Sequence, residues 1–128
     1  MIYLDSSAAL AHLLDEERAP PASLWDEELV SSRLFEYEIW TRINSLGLAP
    51  TKANDVHAVL IRVNLIELSP PVLARALDPF PSPCRTLDAL HLASADYLRA
   101  QGRRVEIASY DARLVAAARA LGFSIAPL

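Results

Sequence analysis

The chain has one cysteine, Cys84, and only one lysine, Lys52. A lone cysteine excludes an internal disulfide and a cysteine-based zinc site. No apolar run is long enough to span a bilayer, so no membrane partner is expected. No basic region precedes the first apolar residues, which argues against a signal peptide and makes the cytoplasm the expected location. Basic charge is not in excess, because the formal net charge is −4. That excludes the large positive surface that most passive nucleic-acid binders carry. It leaves room for clustered acids, since a bound cation would reverse the sign locally. Apart from Lys52, every lysine-or-arginine position is arginine, whose planar fork suits bidentate contacts with phosphate. No repeat, low-complexity stretch or linker divides residues 1–128, so one domain is expected, with enough chain to build a real core.

What is present is an alternation of short apolar runs and helical patterns. Ile2-Tyr3-Leu4 reads as a strand that ends at Asp5-Ser6-Ser7, with a helix over residues 8–14. Leu29-Val30-Ser31 is a second strand. A helix over residues 33–46 follows, closed by Gly47 and Pro50, and a helix capped by Thr51 comes next. Further strands are expected at residues 65–68, 105–109 and 123–126, and helices at 70–77 and 112–121. Thr86 is a good N-cap for a helix from Leu87 to about Arg99 that is apolar on nearly every side. This alternation predicts an α/β fold, a central parallel sheet of four or five strands with helices on both faces.

Acids fall at telling places in that pattern. Asp5 and Asp111 each sit at the carboxyl end of a strand and the start of a helix, where open α/β sheets bind ligands. N-capping would also explain either one. Asp88 lies in the first turn of the apolar helix, where it could simply favour the helix dipole. His91, one turn on, reads as a packed, hydrogen-bonded histidine. Glu36 and Glu38 flank the apolar face of Phe35, Ile39 and Ile43 on opposite sides, and helical phase does not choose between them. Arg42 lies four residues after Glu38, a spacing that allows a surface ion pair. Several carboxylates brought together repel unless a cation is present. Mg²⁺ or Mn²⁺ prefers such oxygen ligands and keeps positions open for phosphate oxygens. The chemistry that follows is phosphodiester hydrolysis by metal-activated water, with one ion or a pair.

Over essentially its whole length the chain resembles PIN-domain proteins, in particular VapC-type toxins of toxin–antitoxin pairs. Four blocks carry the resemblance: Met1 to Ser7, Ser32 to Glu38, Arg85 to Ala93, and Ser109 to Leu114 followed by Leu121-Gly122. The resemblance implies that Asp5, Glu38, Asp88 and Asp111 are the catalytic and metal-binding acids, and it is what selects Glu38 over Glu36. Ser7, Ser109, Arg42 and Arg85 are supporting candidates. One departure is Thr41, where many relatives carry an arginine, with Arg42 following at once. Also implied are a PIN-like three-layer fold, Mg²⁺- or Mn²⁺-dependent endoribonuclease activity and a homodimer. A VapB-like antitoxin is the expected partner, with operator DNA reached only through it. The helix hairpin at about residues 33–63 would offer a dimer or antitoxin surface.

Two other classes compete, and a third is set aside on one residue. One is a catalytically inactive PIN-like module that binds RNA or protein; four retained acids count against it, and undetectable divalent-ion binding would favour it. The other is a receiver-type signalling domain, which wants a lysine near the end of a late strand, whereas Lys52 lies in the hairpin. A phosphatase of the haloacid type would want an Asp where Ser7 stands.

Overall fold

A computed structural model describes residues 1–128. Five strands, β1 (Ile2–Leu4), β2 (Leu29–Ser32), β3 (Val63–Ile66), β4 (Glu106–Ala108) and β5 (Ser124–Ile125), form one sheet in the order β3-β2-β1-β4-β5. Every pairing is parallel. Six α-helices connect them: α1 (Ser6–Leu13), α2 (Arg33–Ser45), α3 (Ala49–Arg62), α4 (Pro70–Leu77), α5 (Thr86–Ala100) and α6 (Ala112–Ala120). None is long and apolar enough to cross a membrane. The chain winds outward from β1 through β2 to β3, then returns to the other side of β1 for β4 and β5. The strand order therefore reverses between β1 and β4, and a crevice opens beyond the carboxyl ends of those two strands.

Strand alternation divides the core into two layers. Ile2, Leu4 and Leu29 point to the face covered by Ala8, Phe35, Ile39, Ile43, Val56 and Val59 from α1, α2 and α3. Tyr3, Val30 and Ile107 point to the other face, against Leu92 and Ala95 of α5 and Leu114 and Ala118 of α6. The apolar stripes of the α2–α3 hairpin thus face inward. Tyr37, Leu46 and Ile61 are what it leaves exposed.

The helix boundaries have local causes. Ser32 caps α2, its hydroxyl accepting from the Leu34 amide at 3.2 Å. α4 opens on Pro70 and Pro71, whose fixed φ suits a first turn. Several boundaries differ from those expected; α1, for one, begins at Ser6 rather than Ala8. α3 begins at Ala49 rather than after Thr51, because Pro50 sits in its first turn instead of closing the helix before it. β3 accordingly falls two residues earlier, in the register that pairs Leu29 with Val63 and Ser32 with Ile66. Thr86 is the first residue of α5 and not its cap; Arg85 holds the cap position without a side-chain bond. Nor is α5 buried on every side: Leu87 is 44% exposed, because the first turn projects past the sheet.

α4 is tied to α5 through Asp96. Its carboxylate accepts from Arg75 Nε at 2.6 Å and from Arg99 Nη2 at 2.7 Å. Partial burial would push the Asp96 carboxyl up, but the hydrogen bonds and charges of the two arginines hold it below its usual value. Asp96→Asn should therefore cost about 1–2 kcal/mol at neutral pH. A depressed folded value means that this contribution is present above the unfolded carboxylate pKa of about 3.9 and is lost as pH falls through the folded one. Urea unfolding should show the gap between wild type and variant at neutral pH closing in acid.

Candidate active site

Asp5 leaves the end of the central strand and is 5% exposed. A carboxylate so placed is costly unless hydrogen-bonded. Its Oδ2 accepts from Ser7 Oγ at 2.6 Å and from Ser109 Oγ at 2.7 Å. Ser7 Oγ in turn accepts from the Tyr110 amide, and Ser109 Oγ from the Asp111 amide, each at 2.9 Å. Each hydroxyl has one proton and gives it to Asp5. The 3.2 Å approach of the two serine oxygens is then a contact and not a further bond. This network stitches the end of β1 to the end of β4 across the reversal of strand order. No hydrogen bond occupies Oδ1 of Asp5.

Asp5 stands at the N-cap position of α1 but makes no capping bond. Asp111 does cap α6, its Oδ1 accepting from the amides of Arg113 at 2.9 Å and Leu114 at 3.4 Å. The two strand-end acids thus occupy matching places with different duties. Asp111 keeps Oδ2 free and is exposed.

Glu38 lies in α2, with its Oε1 2.5 Å from His91 Nε2. The other ring nitrogen of His91, Nδ1, is 2.8 Å from Tyr3 Oη. His91 is 2% exposed. Burial lowers its pKa, but Tyr3, the hydrogen bond and charge of Glu38, and the charge of Asp5 outweigh burial and bring it to about 10. At neutral pH both nitrogens are then donors, one to Glu38 and one to Tyr3. Asp5, Glu38 and His91 offer ligand atoms that all lie within 4.8 Å of one another.

Asp88 is half-buried on α5, one turn before His91. Burial raises its carboxyl above the usual range, and the charges of Asp111 and Asp5 raise it further; His91 and Arg85 act the other way but do not cancel the rise. Asp5 and Glu38 bring carboxylate oxygens within 4.8 Å of each other, and Asp88 stands in the fields of Asp5 and Asp111. An oxygen-rich pocket in which neighbouring carboxylates raise Asp88 suits a hard divalent cation.

A family profile described as the PIN domain matches residues 2–120. This chain belongs to the PIN-domain family. It is 32% identical over 127 residues to "Ribonuclease VapC46" of Mycobacterium tuberculosis, covering 97% of this chain and 95% of that protein. To "Ribonuclease VapC47" of the same organism it is 28% identical over 130 residues, covering 96% and 93%. To "Ribonuclease VapC35" it is 29% identical over 131 residues, covering 98% and 95%.

The supporting residues of this PIN domain divide. Ser7 and Ser109 both bond to Asp5. Arg42 is exposed and does not pair with Glu38, whose carboxylate is turned to His91 instead. Arg85 makes no ion pair, but its charge acts on Asp88. Sequence reasoning placed His91 in the core with a hydrogen bond and missed that its partners are Glu38 and Tyr3. The sequence did signal that His91 and Tyr3 lie beside the acids, though not that they bond. Asp88 and His91 are three apart on a helix and share a face, while Tyr3 and Asp5 are two apart in an extended stretch and do the same.

Replacing His91 with leucine strands Glu38 and the Tyr3 hydroxyl, and should cost about 3 kcal/mol. His91 is held up to about 10 in the folded chain, against about 6.5 unfolded. Its contribution is thus full below about pH 6.5 and lost as pH rises through about 10. Chemical unfolding across that window should show wild type losing stability with rising pH and converging on His91→Leu.

Proposed function

We propose that this PIN domain is a divalent-metal-dependent endoribonuclease and the toxin of a toxin–antitoxin pair. One observation carries the reading. Burial and the charges of Asp111 and Asp5 raise the carboxyl of Asp88, so the pocket is short of positive charge at the edge where the strand order reverses. The donor set fits Mg²⁺ or Mn²⁺: carboxylate oxygens with unpartnered lone pairs, and no cysteine among them. When bound, such an ion supplies the charge that draws a phosphate into an acidic pocket, and it acidifies water for attack on phosphorus.

The chain's own groups then have distinct work. Ser7 and Ser109 fix Asp5 through one oxygen and leave the other for the cation. His91 sets the orientation of Glu38, as an outer partner does for a ligating carboxylate. Asp88 brings a third carboxylate from the start of α5. Asp111, with one oxygen on the α6 amides, offers the other at the rim. Arg85 is close enough in charge to steady Asp88, and is free of carboxylate partners for contact with RNA.

The ribonuclease names of the relatives support RNA as the substrate, and their VapC names support a VapB-like antitoxin that closes this pocket with a basic side chain. A homodimer belongs to the same reading.

The test is RNA cleavage by purified protein with Mn²⁺ or Mg²⁺, for wild type, Asp5→Asn and Asp88→Asn of matched circular dichroism. Cleavage should fall by about a hundredfold or more in each variant, as loss of a ligand implies. It should also stop when the metal is chelated. Calorimetry should show weaker Mn²⁺ binding in both variants. Equal cleavage in wild type and variants would reject this site. A wild type that neither cuts RNA nor binds Mn²⁺ would leave a binding module instead.

A further inference from the structure

An acidic pocket repels the polyanion it is meant to cut. The metal offsets that at one phosphate only, so the neighbouring phosphates need cations from the protein. Most anchored cations here are already spent on carboxylates. Arg33 pairs with Glu36 and Glu67, Lys52 with Asp15 and Asp55, Arg75 and Arg99 with Asp96, and Arg103 with Glu28.

Arg18 is held differently. Its guanidinium lies over the ring of Tyr110, 4.5 Å from the centroid. Its Nη2 donates to the Tyr110 carbonyl at 3.5 Å. That carbonyl belongs to the peptide joining Tyr110 to Asp111. The amide of Tyr110 is bound by Ser7, which binds Asp5, so Arg18 is tied to the rim of the acid pocket. The ring beneath it packs against the core layer of α1–α3, with its hydroxyl buried there and without a hydrogen-bond partner. The segment carrying Arg18 is anchored on both sides. Asp15 turns the chain with a φ of +50° and is paired with Lys52, and Pro20 is buried. Asp111, next to Tyr110, is committed to the α6 amides, and no ion pair joins Arg18 to it or to the adjacent Glu16 and Glu17.

Stacking on an aromatic ring holds a guanidinium in place without neutralising it. Arg18 is exposed, and only one of its five N–H donors is engaged. A fixed, unneutralised fork at the rim is what bidentate contact with a phosphate requires.

We propose that Arg18 contacts a backbone phosphate of single-stranded RNA beside the scissile one, and so positions the strand over the acid pocket. The inference rests on the nuclease reading. Its test compares wild type, Arg18→Gln and Arg18→Lys on a fluorogenic single-stranded RNA of mixed sequence with Mn²⁺. Arg18→Gln should raise KM about tenfold, with kcat within about twofold. Equilibrium binding of the labelled RNA, followed by anisotropy, should lose about 0.7 from the slope of log affinity against log salt, the loss of one phosphate contact. Arg18→Lys should recover most of the affinity. Mn²⁺ affinity and Tm should not move. An unchanged KM and salt slope would overturn the proposal. So would a fall in kcat or Mn²⁺ affinity at constant KM, since Arg18 would then only brace the Tyr110–Asp111 peptide. Binding is read apart from cutting, so a wild type that binds RNA without cutting it sinks the nuclease reading and still tests Arg18. A wild type that does neither sinks both.

Discussion

A buried carboxylate at the end of the central strand is the constraint around which this protein is built. Asp5 is satisfied as a hydrogen-bond acceptor by two hydroxyls, one from each side of the reversal in strand order. Hydroxyls satisfy lone pairs; they do not cancel charge. The surrounding elements add to the deficit, because α2 delivers Glu38, α5 delivers Asp88 and the turn after β4 delivers Asp111. The one buried cation among them, His91, is itself engaged by Glu38 and Tyr3. One compensating charge among these acids leaves the pocket negative.

The arginine and lysine ion pairs that brace the fold do not involve Asp5, Glu38, Asp88 or Asp111. Asp96 locks α4 to α5 near the far end of α5, and Arg103 meets Glu28 where the chain enters β2. An exposed pair such as Arg103–Glu28 contributes little, and the part-buried pairs of Asp96 contribute more. What holds the sheet is the two-sided burial of β1, with Leu4 on one face and Tyr3 on the other. Tyr3 joins the two tasks, since its ring packs in the second core while its hydroxyl steadies His91.

Much of this was legible in the residues. Strand and helix order, the parallel sheet and the placing of Asp5 and Asp111 at strand ends followed from alternation and from short apolar runs. Boundaries near proline did not: Pro50 can close one helix or open the next, and only packing of the hairpin decides. Helical phase left Glu36 and Glu38 equivalent, and a family resemblance separated them. The structure shows the physical difference. Glu38 meets His91, whereas Glu36 stays outside with Arg33. The Glu38–His91 pair joins residues far apart in sequence, and no local rule reports such a contact. The N-cap duty of Asp111, and its absence at Asp5, likewise depends on where neighbouring backbone amides fall.

The stitch between Asp5 and Ser109 spans most of the chain, and its consequence lies in the order of synthesis. Domains fold as the ribosome delivers them, N-terminal part first. Asp5 is made 104 residues before Ser109, which carries its second hydroxyl, and before the cap-forming Asp111. Until β4 has docked beside β1, the pocket has no floor on one side. A chain that stops before β4 therefore lacks Ser109 and Asp111, and its Asp5 keeps only the Ser7 hydroxyl.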